Sequence, residues 1–250
     1  MLKVNSGFLG KVLATKFSPA LCRNFWKEKH MGFFEYLGRN YDLVLIELLN
    51  HIKIIAIAVP IAIGIGVPIG IIVSRNKKVS SIALYGAGIL MTIPSLALFG
   101  YMVVLLAPLK AGIGVTPAVI DLVIYSFLPV IRNTVVAVNS VDPRMIEAAE
   151  GMGMTNRQIL FRVRLPLTVP IIMAGVRNAA VMGVSVATIA YLVGARGLGY
   201  FIFSGLGRSN FNMVLLGAII VSALGIGMNY GLLALEEAIT PKGLKIERDK

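Results

Sequence analysis

Five runs of apolar residues, each long enough to cross a bilayer, dominate this sequence. They lie at about 53–73, 82–107, 113–138, 167–194 and 213–235. A spanning helix needs about 20 mostly apolar residues. In hydrocarbon every backbone N–H and C=O must be bonded within the protein, so runs of this length specify helices. Composition agrees: of 250 residues, 57% are hydrophobic and 14% charged, where a soluble domain is about half apolar and a quarter charged. The expected class is an all-α integral membrane protein with five spans. Pro60, Pro68, Pro94, Pro129 and Pro170 predict kinks with locally freed carbonyls. Gly66 with Gly70, and Gly227 with Gly231, form small-xxx-small pairs that let helix backbones approach closely.

The longest polar interval between the runs is Asp142 to Pro166, DPRMIEAAEGMGMTNRQILFRVRLP. Its turn chemistry predicts two short helices. Asp142 is an N-cap, and Pro143 fits the first helical position because no N–H is lost there. Gly151 and Gly153 break the first helix. Thr155 and Gln158 have capping-box spacing, so a second helix starts at about Asn156. Pro166 is expected to end it and open the fourth run. The pattern fits a docking element and equally a plain connector.

Charge sets the expected topology. Arg75, Lys77 and Lys78 lie in loop 74–81; Arg144, Arg157, Arg162 and Arg164 lie in the 142–166 interval; Lys242, Lys245, Arg248 and Lys250 lie in the tail. The opposite loops hold Lys110, Arg196 and Arg208. Positive residues favour the cytoplasmic side, so the interval and the C-terminus are expected there. Five spans then put the N-terminus outside, although Lys3, Lys11, Lys16, Arg23, Lys27, Lys29 and Arg39 precede Asn40. From Phe34 the apolar residues Leu37, Tyr41, Leu45, Leu48 and Ile52 recur at helical spacing. They predict an amphipathic interfacial segment leading into the first span. The expected organisation is a basic tail over 1–40, a transmembrane domain over 41–240 and a cytoplasmic tail over 241–250.

Several functions are disfavoured. The net charge of +12 is explained by positive-inside placement and anionic lipid, without nucleic acid. Cys22 is the only cysteine, and His30 and His51 both precede the first run without metal-ligand spacing, which disfavours a metal site. Residues 1–30 lack the apolar core of a cleavable signal peptide. No G-x-x-x-x-G-K-[ST] occurs, so no P-loop cradles ATP here. An intramembrane serine protease needs a base beside its nucleophile, and Ser185 in GVSVA lacks the elbow pattern. A passive channel has no need of the polar interval.

Glu147-Ala148-Ala149, Gly153, Val163, Leu165 and Pro166 match E-A-A-x-x-x-G-x9-[IV]-x-L-P. This resembles the EAA loop of permease subunits of bacterial ABC importers, and the span order resembles their five-helix type I core. MTIPSLALFGYM (Met91–Met102), YSFLPVIRNT (Tyr125–Thr134), LPLTVPIIMAGVRNA (Leu165–Ala179) and ATIAYLVGARGLGYFIFSGL (Ala187–Leu206) look like the glycine betaine, carnitine, choline and proline betaine subgroup.

The resemblance implies a multi-pass subunit of the bacterial inner membrane. It implies two copies of an ATPase that binds ATP and Mg, a second permease (identical or paralogous) and an extracytoplasmic substrate-binding protein. This chain would carry no cofactor. Another small solute, such as an amino acid or a sulfonate, is the alternative cargo. By this resemblance Glu147, Ala148, Ala149, Gly153, Leu165 and Pro166 meet the ATPase. The pathway or gate candidates are Pro94, Ser95, Asp121, Tyr125, Arg132, Asn133, Arg177 and Tyr191. Asp121 departs from the subgroup, as does Arg196 in GARGLG. Asp121 is expected either to attract a cationic head or to reach the surface or pair across the bundle. Arg177 is expected to tie helices together.

Overall fold

The computed structural model describes residues 33–240, and the tail 1–32 and segment 241–250 lie outside the described residues. Ten helices follow one another: α1 Phe33–Arg39, α2 Tyr41–Val73, α3 Lys77–Thr92, α4 Ser95–Leu106, α5 Val115–Asn139, α6 Pro143–Gly151, α7 Asn156–Ile159, α8 Leu165–Ile189, α9 Gly199–Gly207 and α10 Phe211–Ile239. No strand occurs among the described residues. Four helical rods are long and apolar enough to cross a membrane: Tyr41–Val73, Val115–Asn139, Asn156–Val193 and Phe211–Ile239. Ile57, Ile61, Ile65, Ile69 and Ile72 form an exposed stripe along α2, as a lipid-facing surface requires.

The second run, expected as one span over 82–107, is two half-helices. α3 and α4 meet at 91° across Ile93 and Pro94. The residue before a proline avoids the helical region, and Ile93 is extended at φ −70°, ψ 122°. Hydroxyls take up carbonyls here: Thr92 Oγ1 donates to Ile89 O at 2.7 Å, and the Tyr125 hydroxyl donates to Ile93 O. Pro60, Pro68, Pro129 and Pro170 lie inside continuous helices, so Pro94 alone among the five prolines breaks its helix.

The chain enters the bundle earlier than its apolar run suggested. α2 begins at Tyr41 rather than near 53, and at 33 residues it is roughly 50 Å long. α1 does form, but the face it turns to the bundle carries Tyr36, while Phe34 is exposed. Tyr36 joins Val44, Leu198, Phe201, Met213 and Leu216 in a buried cluster, so the packed unit reaches back before residue 41.

α5 is the hub, packed against both α2 and α8. Glycines make these crossings close. A Cβ at Gly66 would lie 2.9 Å from Val130 Cγ1, and one at Gly70 would lie 2.6 Å from Thr134 Cβ. On the other side, a Cβ at Gly175 would lie 2.6 Å from Asn133 Cβ and 2.7 Å from Pro129 O. Lipid supplies no hydrophobic drive between helices, so such contact is what holds them. The Gly66/Gly70 pair therefore packs as expected, whereas Gly227 and Gly231 face open space within the chain. The main cluster unites Ile54 and Ala58 of α2, Leu98 and Phe99 of α4, Leu122 and Tyr125 of α5, and Val176, Ala180 and Val184 of α8.

The polar interval lies at one end. A hollow of about 250 Å³ is lined there by Ile71 of α2, Ser74 and Arg75 just after it, Val138 of α5, Ile146 and Glu150 of α6, and Asn156, Ile159, Leu160 and Arg164. At the other end the Gly114 N–H donates to Val193 O at 2.9 Å, joining the start of α5 to the end of the α8 rod.

Replacing Gly175 by Val should overpack the α5–α8 crossing and cost about 1–3 kcal/mol. The purified protein in detergent should melt at a lower temperature. Gly227→Ala should not lower the melting temperature, because nothing within the chain lies near the added methyl and alanine suits a helix interior better than glycine.

Candidate functional site

The hairpin follows its sequence closely at the start. The Asp142 side chain accepts from the Arg144 N–H at 2.9 Å, with Pro143 in the first turn of α6. The helix ends in a Schellman motif. The Met154 N–H donates to Ala149 O at 3.1 Å and the Gly153 N–H to Glu150 O at 2.9 Å. Gly153 sits at φ 76°, the left-handed conformation this cap demands. The capping box is complete: the Thr155 N–H donates to Gln158 Oε1 at 2.8 Å, and the Gln158 N–H donates to Thr155 Oγ1 at 3.4 Å.

Beyond it the structure departs from expectation. Pro166 does not end the second helix; α7 runs into α8 as one rod, Asn156–Val193. The reason is a π turn over Leu160–Arg164, where the Leu165 N–H donates to Leu160 O. Pro166 offers no N–H and its ring would strike the carbonyl four residues back; a widened turn accommodates it. Leu165 and Pro166 thus sit half-buried in a continuous lever between hairpin and bundle.

The coupling residues divide by burial. Glu147, Ala148 and Gly153 are exposed, while Ala149 is buried beneath the hairpin. Ala149 therefore anchors α6, while its neighbours stay open to solvent. Met145, Met152 and Phe161 of the same interval are also large, apolar and exposed. The sequence reading missed them, though methionine and phenylalanine in an otherwise polar interval were the available signal.

Part of the pathway set converges on α5. Asp121, Tyr125, Leu128 and Arg132 lie at i, i+4, i+7 and i+11, which is one stripe of a helix. Leu128, Arg132 and Asn133 line an open groove of about 530 Å³ with Met91, Pro129, Asn178, Val181 and Met182. Tyr125 ties the stripe to the α3–α4 break through Ile93 O, next to Pro94 and Ser95. Asp121 is fully buried, and neither carboxylate oxygen has a hydrogen-bond partner among the described residues. The expected alternative for Asp121, reaching the surface or pairing across the bundle, does not occur here. Asn133 Nδ2 donates to Pro129 O at 2.8 Å against Gly175.

Two candidates lie apart from the stripe. Arg177 Nη1 donates to Glu236 Oε2 at 3.1 Å, tying α8 to α10 as expected of a helix tie. Glu236 lies 59 residues away, so no local pattern announced it. Tyr191 belongs to an aromatic group at the other end; its ring stacks on Phe203 and its hydroxyl is 2.8 Å from Ser204 Oγ.

His51 needs correction. It lies inside α2, not before the first span. It is fully buried, and both ring nitrogens are used: Nε2–H donates to Val184 O at 3.1 Å, and Nδ1 accepts from the Leu198 N–H at 3.2 Å. This pattern fixes a neutral ring with no free lone pair, which removes it as a catalytic base. Together with Glu47, whose Oε1 lies 3.5 Å from Arg196 Nε, it holds the GARGLG loop on α2. No group of three His, Cys, Asp or Glu side chains could hold a metal among the described residues.

A bundle of spanning rods, a capped hairpin at one end and an open groove beside a broken helix define a multi-pass membrane transport subunit. The match by family agrees: residues 62–241 fit the model described as "Binding-protein-dependent transport system inner membrane component", and the chain belongs to this family. The osmoprotectant import permease protein OsmW of Salmonella typhimurium is 39% identical over 215 residues, covering 86% of this chain and 100% of that protein. The carnitine transport permease protein OpuCB of Listeria monocytogenes is 39% identical, covering 87% of this chain and 96% of its own length. The glycine betaine/carnitine/choline transport system permease protein OpuCB of Bacillus subtilis is 36% identical over 84% of this chain and 94% of that protein. An inward-facing structure of the MetNI methionine ABC transporter has the same fold, with a TM-score of 0.70 at 21% identity over 81% of this chain and 99% of that one.

Gly153→Ala should strain the hairpin by about 1–2 kcal/mol, because an L residue disfavours left-handed φ. Hydrogen exchange at Met152–Met154 should quicken. Gly151→Ala should leave it unchanged, since Gly151 is helical and a Cβ there meets open space.

Proposed function

We propose that this chain is the membrane-spanning permease subunit of an ATP-driven importer for quaternary ammonium compatible solutes such as glycine betaine, choline and carnitine. The observation that carries the reading is the near end-to-end match to permeases named for osmoprotectant and carnitine transport. The likeness to a methionine transporter concerns the fold alone and does not favour amino acid cargo.

In this reading the chain performs no chemistry. A separate ATPase pair binds ATP and Mg and docks on the hairpin, where Glu147 and Ala148 are exposed, as are Met145, Met152 and Phe161. Small and apolar side chains suit docking of a short helix into a groove, and Glu147 can accept hydrogen bonds there. The rod Asn156–Val193 then carries hairpin movement into the bundle without a flexible joint. A second permease, identical or paralogous, completes the pathway, and an extracytoplasmic binding protein delivers the solute. The hairpin end is assigned to the cytoplasm because Arg75 and Arg164 line one hollow there, beside Lys77, Lys78, Arg144, Arg157 and Arg162. The other end carries fewer, Arg39, Lys110, Arg196 and Arg208 among the described residues. The C-terminus is assigned to the cytoplasm as well.

Radiolabelled uptake by cells that lack other osmolyte importers tests the reading, with the chain expressed beside its cognate ATPase and binding protein. Uptake should require ATP. Gly153→Asp should abolish it while the amount of inserted protein stays the same. Full uptake by that variant would remove the hairpin from the coupling route.

A further inference from the structure

The α5 stripe continues past the open groove to a closed end. Leu128 and Arg132 line the groove, Tyr125 follows one turn along the stripe and donates to Ile93 O, and Asp121 lies one turn beyond. Asp121 is fully buried with both carboxylate oxygens unpartnered among the described residues. The cluster around this turn is apolar: Leu98, Phe99 and Met102 of α4, with Ala118 and Leu122 of α5. A bare carboxylate in such surroundings is costly unless a positive charge or a proton neutralises it. Ionisable groups inside spans mark substrate or ion routes by default.

We propose that Asp121 is a selectivity residue of the translocation route, favouring net-cationic quaternary ammonium solutes such as choline over zwitterions that carry their own carboxylate. This rests on the substrate reading above. A trimethylammonium group has no N–H to donate, and its charge is spread over methyl groups. Its complement is a negative charge without donors, set among apolar side chains and an aromatic face, which is what Asp121, the α4 side chains and Tyr125 provide. A zwitterion brings a second carboxylate into the same space, where Asp121 repels it. Arg132, the cation on this stripe, lies about 16 Å further along the helix axis, too far for one small betaine to span from Asp121. Access comes from the broken helix. The α3–α4 break at Ile93 and Pro94 is the joint about which α4 can swing once Tyr125, one turn from Asp121, releases Ile93 O.

The test compares maximal uptake of choline and of glycine betaine, at saturating solute, by the complete transporter carrying wild-type, Asp121→Asn or Asp121→Glu chains. Asparagine keeps the shape and removes the charge. Maximal choline uptake should fall about tenfold in Asp121→Asn, while glycine betaine uptake changes less than about twofold, as expected when one charge contact of roughly 1.4 kcal/mol is lost. Asp121→Glu should keep the preference for choline. Quantities of inserted protein are matched by immunoblot. Unchanged choline uptake in Asp121→Asn overturns the proposal, because a neutral carboxyl then suffices. So does an equal loss of both solutes in both variants, which marks a packing role. If the wild-type transporter moves neither solute, the substrate reading fails and this proposal fails with it.

Discussion

The close approach of α5 to α2 and α8 is the contact on which the rest of the structure depends. Within a bilayer, helices gain nothing by hiding apolar surface from lipid, so packing at short range must hold them. Gly66 and Gly70 admit Val130 and Thr134 from one side, and Gly175 admits Asn133 from the other. With α5 fixed between two partners, its remaining face is free to carry polar side chains. That face is the stripe from Asp121 to Arg132. The same helix thus provides packing faces and a polar stripe, on different sides of one cylinder.

The rule that buried carbonyls need donors explains how the chain is interrupted without falling apart. Three breaks are resolved in three ways. At Pro94 the helix stops, and the Tyr125 hydroxyl takes Ile93 O. At Pro166 the helix continues by widening to a π turn. At Gly153 it ends in a left-handed cap that returns two N–H groups to Glu150 and Ala149. Each solution has a mechanical consequence. The first makes a joint, the second keeps a lever stiff, and the third fixes the angle of the exposed hairpin. The GARGLG loop is held by a further set of bonds, with His51 bridging Val184 and Leu198.

Much of this was legible in the residues. Capping signals are local: Asp142, Pro143, Gly153, Thr155 and Gln158 act within three or four positions, so their hydrogen bonds could be foreseen individually. The family resemblance was also legible, since EAA, Gly153 and Leu165-Pro166 keep fixed spacing. Tertiary pairings were not. Arg177 with Glu236, Glu47 with Arg196, and Tyr125 with Ile93 O join residues far apart in sequence. Periodicity misled at the first helix, where Phe34, Tyr41 and Leu45 face outward and Glu47 and His51 are buried. Lipid tolerates apolar residues on the outer face, so hydrophobic spacing does not report which side is inward.

The sequence by itself determined that this chain is an α-helical membrane protein, where its hairpin begins and turns, and which transporters it resembles. Those properties follow from run length, local caps and motif spacing. Only the tertiary structure decided that the second run is bent at a joint, that the hairpin is continuous with the fourth rod, and that Asp121 is enclosed without a partner. Each depends on whether a distant group supplies a donor, a space or a charge.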